Sequence, residues 1–402
     1  MRILRTLPTR RLLAALAGLL IVCLGGTAIA LAAAGNGPVP KHRSLASAVR
    51  RALGGQAVRG VTATINFTNN LIGSSNIQGT DPLLNGGPGR LWVGAGRVRL
   101  EVQSGSGNDA EVVFNRRSFW AYDPAMNVVY KGTLPAGAGS SKAHSAGKDA
   151  IPTVAQIQKD LNHLAKRLSV SGAHPTDVGG QPAYRVAMSP KAGGGLLGAL
   201  KLAWDANHGI PLDFAVYAKG DSTPVLELNA TGVSYGQVSR SVFTIKPPSG
   251  AHVVKVSLPK TSSASKSKSK HSGKDVTGLK AVQKHLGFTV SAPAALAGRA
   301  RHSVSLIGEA GHHGAALFYG TGLGGILVIE RPASAGGSAL PSTASSGDGP
   351  GLSLPTVNIN GATAQQLPTP LGTVLQFSRG GISYLVAGSV GTSTADAAAR
   401  GL

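Results

Sequence analysis

The chain has 402 residues, of which 42% are hydrophobic and 14% charged, a composition that excludes wholesale disorder and allows packed domains. Its 39 Lys and Arg against 17 Asp and Glu give a net charge of +22, which favours anionic partners. Its single cysteine, Cys23, lies in an apolar N-terminal segment, so disulfides, thiol catalysis and cysteine-based metal sites are excluded from the rest of the chain.

The N-terminus predicts export. Residues 1–11 form a basic segment with four arginines, and residues 12–34 carry no charge over a length sufficient to span a hydrocarbon core of about 30 Å. Since basic flanks stay inside, we predict a single-pass cell-membrane protein with its N-terminus in the cytoplasm and its domains outside. The alternative is secretion after signal cleavage, because residues 28–30 and 32–34 offer small-x-small cleavage sites. Nucleic acid is then not an expected partner.

The segment that follows predicts a mainly antiparallel sheet. Residues 44–53 form a short predicted helix, and Val61, Ala63, Ile65 and Phe67 then alternate with polar residues, as in a half-buried strand. Further strands are predicted at 98–102, 111–115, 119–123, 128–130, 184–188, 202–205, 212–218, 225–230 and 242–245.

One longer helix interrupts these strands. Over residues 153–168, five apolar residues share one helical face, while residues 135–149 before it are rich in Gly, Ser and Ala and predict a loop. The apolar face either seals the sheet as ordinary core or forms a movable lid over an apolar cavity.

The C-terminal part predicts a second domain. Residues 257–276 are rich in Ser and Lys and predict a flexible linker, after which residues 277–402 form a small α+β domain. Its predicted elements are a helix at 279–286, strands at 304–307, 316–319, 326–330, 374–377 and 382–386, a loop at 334–351 and a helix at 394–400.

Several short motifs resemble LolA-like lipoprotein-carrier domains. They are Ala203–Leu212 (AWDANHGIPL), Val233–Gly236, Val242–Ile245, Pro247–Ala251, Val113–Asn115 and Trp120–Asp123. The resemblance covers about residues 44–256, within a predicted domain at 35–256, and implies a curved antiparallel incomplete β-barrel with covering helices. This superfamily includes carriers of lipoprotein acyl chains, glycolipid-binding lipoproteins and RseB-type regulators of sigma factors.

The order of the two predicted domains resembles that of RseB-type proteins, which carry a smaller C-terminal domain after the LolA-like one. Residues 286–288, 319–320 and 371–373 also resemble a small domain of anchored regulatory proteins in Gram-positive bacteria. The fold class expected is therefore α+β: the incomplete barrel plus a second, smaller α+β domain. The chain departs from free carriers by its apolar N-terminal segment and by its few aromatic residues.

Motifs for chemistry are weak. Residues 320–325 satisfy G-x-G-x-x-G, but a strand rather than a helix is predicted after them, so we interpret them as a hairpin. Residues 232–236 satisfy G-x-S-x-G without the strand–turn–helix context of a nucleophile elbow. His312 and His313 lie three residues or more after Glu309, but Gly311 and Gly314 predict a surface loop rather than a metal site. We predict no enzyme activity, no catalytic residue, no cofactor and no metal.

The hypothesis that follows is a non-enzymatic, membrane-tethered binding protein that holds a lipid or a lipoprotein acyl chain in an apolar half-barrel. One alternative is an RseB-like regulator that binds an anti-sigma factor or another membrane protein through its C-terminal domain. The other is a basic module that binds anionic wall polymer or lipid surfaces. The lipid-cavity candidates are Val61, Ile65, Phe67, Leu100, Val102, Trp120, Tyr122, Ile157, Leu161 and Leu164.

Overall fold

A computed structural model describes residues 37–73, 81–104, 109–133, 152–257, 276–308, 313–335 and 354–402. The predicted anchor at 12–34, the loop at 135–149 and nearly all of the predicted linker and of the loop at 334–351 lie outside these ranges. Within them, no helix has the length and the apolar character that crossing a membrane requires.

The first sheet has 13 strands, most of which pair with their neighbours in sequence. Its strands are β1 (Gly60–Asn69), β2 (Gly86–Gly94), β3 (Arg97–Val102), β4 (Ala110–Asn115), β5 (Ser118–Asp123), β6 (Val128–Thr133), β7 (Leu168–Val170), β8 (His174–Val178), β9 (Gln181–Pro190), β10 (Leu197–Asp205), β11 (Pro211–Ala218), β12 (Pro224–Tyr235) and β13 (His252–Ser257). Their order is β13-β6-β5-β4-β3-β2-β1-β12-β11-β10-β9-β7, with β8 paired to β9.

Strand β1 holds the two halves of this sheet together. It pairs antiparallel with β2 on one side and with β12 on the other. All the named pairings are antiparallel except that of β13 with β6, which is parallel. Because the two ends of the order, β13 and β7, do not pair, the sheet is an open half-barrel, and the predicted fold class is confirmed.

Three helices accompany the first sheet: α1 (Leu45–Leu53), α2 (Pro82–Asn85) and α3 (Val154–Leu164). Thr153 and Gln156 begin α3 with reciprocal hydrogen bonds between side chain and backbone, an arrangement that satisfies amides left free at a helix N-terminus. Helix α1 buries Ala46 and Ala48, and α3 makes its main contacts with α1.

Helix α1 packs against the turn formed by the AWDANHGIPL segment. The Asp205 carboxylate accepts hydrogen bonds from the backbone N–H groups of Asn207 and His208, which fixes the turn between β10 and β11. Arg51 donates to the Ala206 carbonyl at 2.8 Å. A Cβ at Gly209 would lie 2.0 Å from the Ala52 carbonyl oxygen, so glycine allows the close approach of the helix.

Two predicted elements of the first sheet differ from the structure. Residues 242–245 were expected to form a strand, but Arg240–Phe243 form a 3₁₀ helix, capped by Ser239 and buried through Phe243, so that prediction is wrong. The helix expected to reach residue 168 ends at Leu164, and Leu168–Val170 instead pair with β9. Strands β2, β8 and β13 were not predicted.

The second sheet has eight antiparallel strands. They are β14 (Ala295–Leu296), β15 (Arg299–Ile307), β16 (Gly314–Tyr319), β17 (Ile326–Pro332), β18 (Thr356–Ile359), β19 (Ala362–Thr369), β20 (Gly372–Arg379) and β21 (Ile382–Gly388), in the order β14-β15-β16-β17-β21-β20-β19-β18. Helices α4 (Leu279–Gln283) and α5 (Thr392–Arg400) pack against it, and α5 contributes three buried alanines to its core.

A glycine-rich contact joins the two sheets. The Gly324 N–H donates to the Gly193 carbonyl at 3.0 Å, and the Leu196 N–H donates to Ser389 Oγ at 2.9 Å. Gly193 and Leu196 lie in the β9–β10 connection, whereas residues 320–325 connect β16 to β17 as the predicted hairpin. We call this contact the domain joint.

Candidate functional site

The curved sheet carries a continuous apolar cluster on one face, which we call the sheet core. It takes alternate residues of β1, from Val61 to Phe67, together with their neighbours on β2 to β5 and β12. In an antiparallel pair, directly opposite residues project to the same face, so the strand register shows how the cluster is built.

Three rows of apolar residues cross the strands. The first row is Val233, Ala63, Leu91, Leu100, Val112 and Ala121. The second is Tyr235, Val61, Val93, Val98, Phe114 and Phe119. The third is Ala230, Ile65, Gly89, Val102 and Ala110. These rows form an apolar surface several strands wide.

Gly89 allows the third row to close tightly. A Cβ at this position would lie 2.1 Å from the Glu101 carbonyl oxygen and 3.2 Å from Ile65 Cγ1. Glycine in the interior of a strand is typical of a place where backbone and neighbour approach closely. A side chain here would force β2 and β3 apart.

Helix α2 covers one end of the sheet core. Leu83 joins the core, and its carbonyl oxygen accepts a hydrogen bond from Asn69 Nδ2 at 2.8 Å. Asp81 caps the helix by accepting from the Leu83 N–H at 2.9 Å. This end of the half-barrel is therefore closed by a four-residue helix held through buried polar contacts.

Two acidic groups are buried at the same end. Asp81 is 3% exposed and Asp123 is 1% exposed. Burial, together with the charge of Asp123, raises the pKa of Asp81 to about 6, and burial also raises the pKa of Asp123. Because burial favours the neutral form of a carboxyl group, we expect the stability of this end to depend on pH.

The structure divides the ten cavity candidates into three groups. Val61, Ile65, Phe67, Leu100 and Val102 lie together in the sheet core. The other face of the sheet holds Trp120 and Tyr122, which pack with Val113, Val129, Ile245 and Ala251. The helical candidates are graded in burial: Ile157 is buried, Leu161 is half-buried and Leu164 is exposed.

The contacts of helix α3 are relevant to its two predicted roles, ordinary core or a movable lid. Helix α1 packs on β9 and β10 through Tyr184, Val186 and Trp204. Because α3 makes its main contacts with α1, it forms an outer layer over that helix. None of the α3 residues belongs to the sheet core.

Sequence analysis missed several members of the sheet core. Leu91, Val112, Phe114 and Phe119 are all buried there. The alternation in β4 and β5 was visible, but both faces of these strands carry large apolar residues, so only the register assigns the faces. The four glycines of β2 concealed that strand from a pattern-based prediction.

The described residues carry no arrangement typical of a metal centre, since no three His, Cys, Asp or Glu side chains come together within them. Asp205, His208 and Tyr235 do form a contact: Tyr235 Oη donates to Asp205 at 2.8 Å, and His208 Nδ1 lies 3.1 Å from the same carboxylate. Asp205 is fully buried and also fixes the backbone of the turn against which α1 packs. The contact of Asp205 with His208 and Tyr235 therefore has a structural explanation.

No family model matches the chain, and no curated protein matches it. Among solved structures, it is similar to MucB in complex with MucA(peri), at 15% identity and a TM-score of 0.37, over 88% of this chain and 94% of that one. MucB alone gives 15% identity and a TM-score of 0.36, with 88% and 96% covered. An outer membrane lipoprotein-sorting protein domain from Vibrio parahaemolyticus gives 12% and 0.19, with 50% and 94% covered.

These solved structures share 12–15% identity with the chain. Their TM-scores lie below 0.5 and carry no argument about function. The function is therefore argued from the residues of this chain.

Proposed function

We propose that the chain is a non-enzymatic, membrane-tethered extracytoplasmic protein that binds a lipid or a lipoprotein acyl chain against the sheet core. The observation that supports this proposal is the set of three apolar rows, which cross five or more strands of an open half-barrel. An acyl chain is the ligand whose chemistry matches a surface made of three apolar rows.

The energetics of such binding need no polar anchor. Each methylene removed from water contributes about 0.8 kcal/mol, so about eight buried carbons contribute about 6 kcal/mol before the costs of ordering. The residues of the sheet core are packed against one another, so a bound chain has to displace some of these contacts. We propose the end covered by α2 as the entrance, because among the described residues a four-residue helix covers it.

The first experiment is native mass spectrometry of the protein purified from its own cell, followed by extraction with organic solvent. A co-purifying lipid or lipopeptide of defined mass is the expected result. A clean protein mass, with no uptake of added phospholipid, contradicts the proposal.

Variants then locate the site. Leu100→Glu places a charge in the first apolar row and should abolish lipid uptake, and Leu100→Asn tests the same position with a neutral group if the first variant does not fold. Tyr122→Asn is the control, since Tyr122 is half-buried on the other face of the sheet. Uptake that persists in a folded Leu100 variant, or that is lost equally in the control, places the ligand elsewhere.

A regulator of RseB type is the second candidate, supported by the separate C-terminal sheet and its core. In this case the C-terminal domain binds an anti-sigma factor or another membrane protein. Deletion of residues 277–402 should then remove a membrane protein that co-purifies with the full chain. Unchanged co-purification contradicts this candidate.

Binding to anionic wall polymer is the third candidate, supported by charge alone. Four of the 39 basic residues lie in 1–11, and the remaining 35 against 17 acids leave +18 on the rest of the chain. Such binding should disappear at high salt, whereas binding of an acyl chain to the sheet core should be nearly insensitive to salt.

A further inference from the structure

We infer that the outer edge of β13 binds an acidic, extended segment of another protein, which adds to the first sheet as a further strand. We call this edge, which carries the outward backbone groups of Val253 and Lys255, the β13 edge. The inference goes beyond the acyl-chain site, since neither residue belongs to the sheet core.

Strand β13 offers the most room for an added strand. It ends the strand order of the first sheet, and β6 is its only partner among the described strands. Among the four strands that end the two strand orders, β13 is the longest with six residues, whereas β7, β14 and β18 have three, two and four. Short end strands protect a sheet from unwanted pairing, and β13 is not protected in this way.

The register of β13 shows which of its backbone groups face away from the sheet. The His252 N–H donates to the Asn127 carbonyl at 2.9 Å, so the backbone of His252 is directed towards β6. Successive residues of a strand direct their backbone groups to alternate sides, so Val254 also faces β6, whereas Val253 and Lys255 face outwards. Outward N–H and C=O groups at this spacing are matched by the backbone of another extended peptide.

The side chains at the β13 edge favour an acidic peptide. Lys131 of β6 and Lys255 are directly paired, and both are exposed. Like charges in directly opposite positions destabilise a sheet, and none of the ion pairs among the described residues includes either lysine. An acid on an added strand beside Lys255 would replace this repulsion with attraction. The same strand would shield Val253, which is 52% exposed, from water.

Three other occupants fit the β13 edge less well. A second copy of this chain would bring its own Lys131 and Lys255 to the edge and increase the repulsion. Residues 134–151 and 258–275, which follow β6 and β13, together contain seven Lys against two Asp and would do the same. An anionic polymer would neutralise the lysines but has no backbone to pair with Val253. An acidic peptide is the occupant that satisfies both the charges and the backbone.

The test measures binding of a designed peptide to the full chain in a neutral detergent. The probe is a fluorescein-labelled peptide, Thr-Val-Glu-Val-Glu-Val-Thr, whose glutamates share one face of the added strand and whose valines share the other. The control peptide has lysine in place of both glutamates. Fluorescence anisotropy measures the affinity, and hydrogen exchange resolved to single residues locates the bound peptide.

The acidic peptide should bind and should slow the exchange of the outward amides of Val253 and Lys255. The basic peptide should bind about tenfold more weakly or less well still, and the double variant Lys131→Glu, Lys255→Glu should reverse this preference. The control double variant Lys159→Glu, Lys166→Glu changes the net charge equally at exposed positions of α3 and should keep the preference of the wild type.

Val253→Pro tests the backbone contact. Proline removes the outward N–H and is tolerated on an edge strand where that group faces solvent, so the variant should stay folded and lose the peptide. Val253→Ala keeps the N–H and should retain the peptide. Circular dichroism checks the fold, and the charge-reversed double variant keeps the inference testable if the proline variant unfolds.

No binding of the acidic peptide, equal binding of the two peptides, or unchanged binding by a folded Val253→Pro variant overturns the inference. Slow exchange of the Val253 and Lys255 amides without peptide also overturns it. A dependence of this protection on protein concentration assigns the edge to a second copy, and its loss on deletion of residues 258–275 assigns the edge to that segment. Displacement of the peptide by poly(glycerol phosphate), with no amide protection by the peptide itself, assigns the lysines to a polyanion.

Discussion

At the scale of single residues, we expect Asp81 to make the stability of the half-barrel depend on pH. Its pKa is raised from 3.8 to about 6, so the stabilisation from its neutral form is complete below about pH 3.8 and is lost as the pH rises through 6. Asp81→Asn keeps an oxygen acceptor for the Leu83 N–H without the charge. The variant should therefore be more stable than the wild type at pH 8, and this difference should vanish near pH 4.

Denaturant titration followed by tryptophan fluorescence measures this difference, because Trp92, Trp120 and Trp204 all lie in the first sheet. Asp160→Asn, at an exposed position of α3, is the control and should change nothing. An Asp81→Asn variant with no gain at pH 8 would show that the buried carboxylate is neutral or solvated there.

In the second sheet, we expect the buried carboxyl group of Glu330 to make stability depend on pH. It is fully buried, and its Oε2 accepts from the Ser291 N–H at 2.9 Å, while Oε1 has no hydrogen-bond partner. Burial raises its pKa from 4.5 to about 7, so its contribution to stability is present at low pH and is lost as the pH rises through 7.

Glu330→Gln should flatten this pH dependence, although its amide group also needs a partner and lowers stability at every pH. Hydrogen exchange of the amides of β17 and β21, measured between pH 5 and 8 and corrected for the intrinsic rate, reports on this sheet alone. A wild-type protein whose protection does not fall above pH 7 contradicts the assignment.

At the scale of elements, the first apolar row should determine the stability of the half-barrel. Leu100 is buried between Leu91 and Val112, so Leu100→Ala removes packing on both sides and should cost about 2–5 kcal/mol of unfolding free energy. Leu53→Ala, at an exposed position, should cost less than about 0.5 kcal/mol. Denaturant midpoints compare the two, and equal effects would show that the row is not a packed core.

The elements also show what a pattern of residues predicts and what it does not. The alternation in β1 predicted both the strand and its buried face, because the opposite face carries Thr and Asn. Trp120 could not be assigned in this way, since β5 buries residues on both faces and its register with β4 decides which face meets the sheet core.

Two further differences have local physical causes. Val242 to Ile245 read as a strand by composition, but the serine cap at residue 239 and the burial of Phe243 favour a 3₁₀ turn. The apolar stripe of α3 predicted the helix correctly, but its partner is α1, and no property of a single helix reveals whether its apolar face meets a sheet or another helix.

At the scale of the whole molecule, the domain joint is a close contact between backbones. A Cβ at Gly195, where φ is +60°, would lie 2.4 Å from the Ser389 carbonyl oxygen. Gly195→Ala should therefore separate the two sheets and increase the radius of gyration measured by small-angle X-ray scattering.

Gly180→Ala is the matched control for the joint. This residue also has a positive φ, of +78°, but a Cβ there would meet no neighbour within 4 Å, so the variant carries the same backbone strain without the clash. An equal radius of gyration for the two variants would show that the joint does not hold the sheets together.

The central position of β1 has a consequence for the time order of folding. This strand is the first of the described strands to be synthesised, yet one of its two edges pairs with β12, so that Val61 pairs with Tyr235 across a long stretch of chain. Pairings this distant in sequence form slowly, because the intervening chain has to be ordered first. Until residue 235 has been synthesised, β1 has a free edge. The half-barrel therefore cannot be completed while the chain is still being synthesised, and the unfinished chain is the state in which an unpaired strand edge is exposed to aggregation and proteolysis.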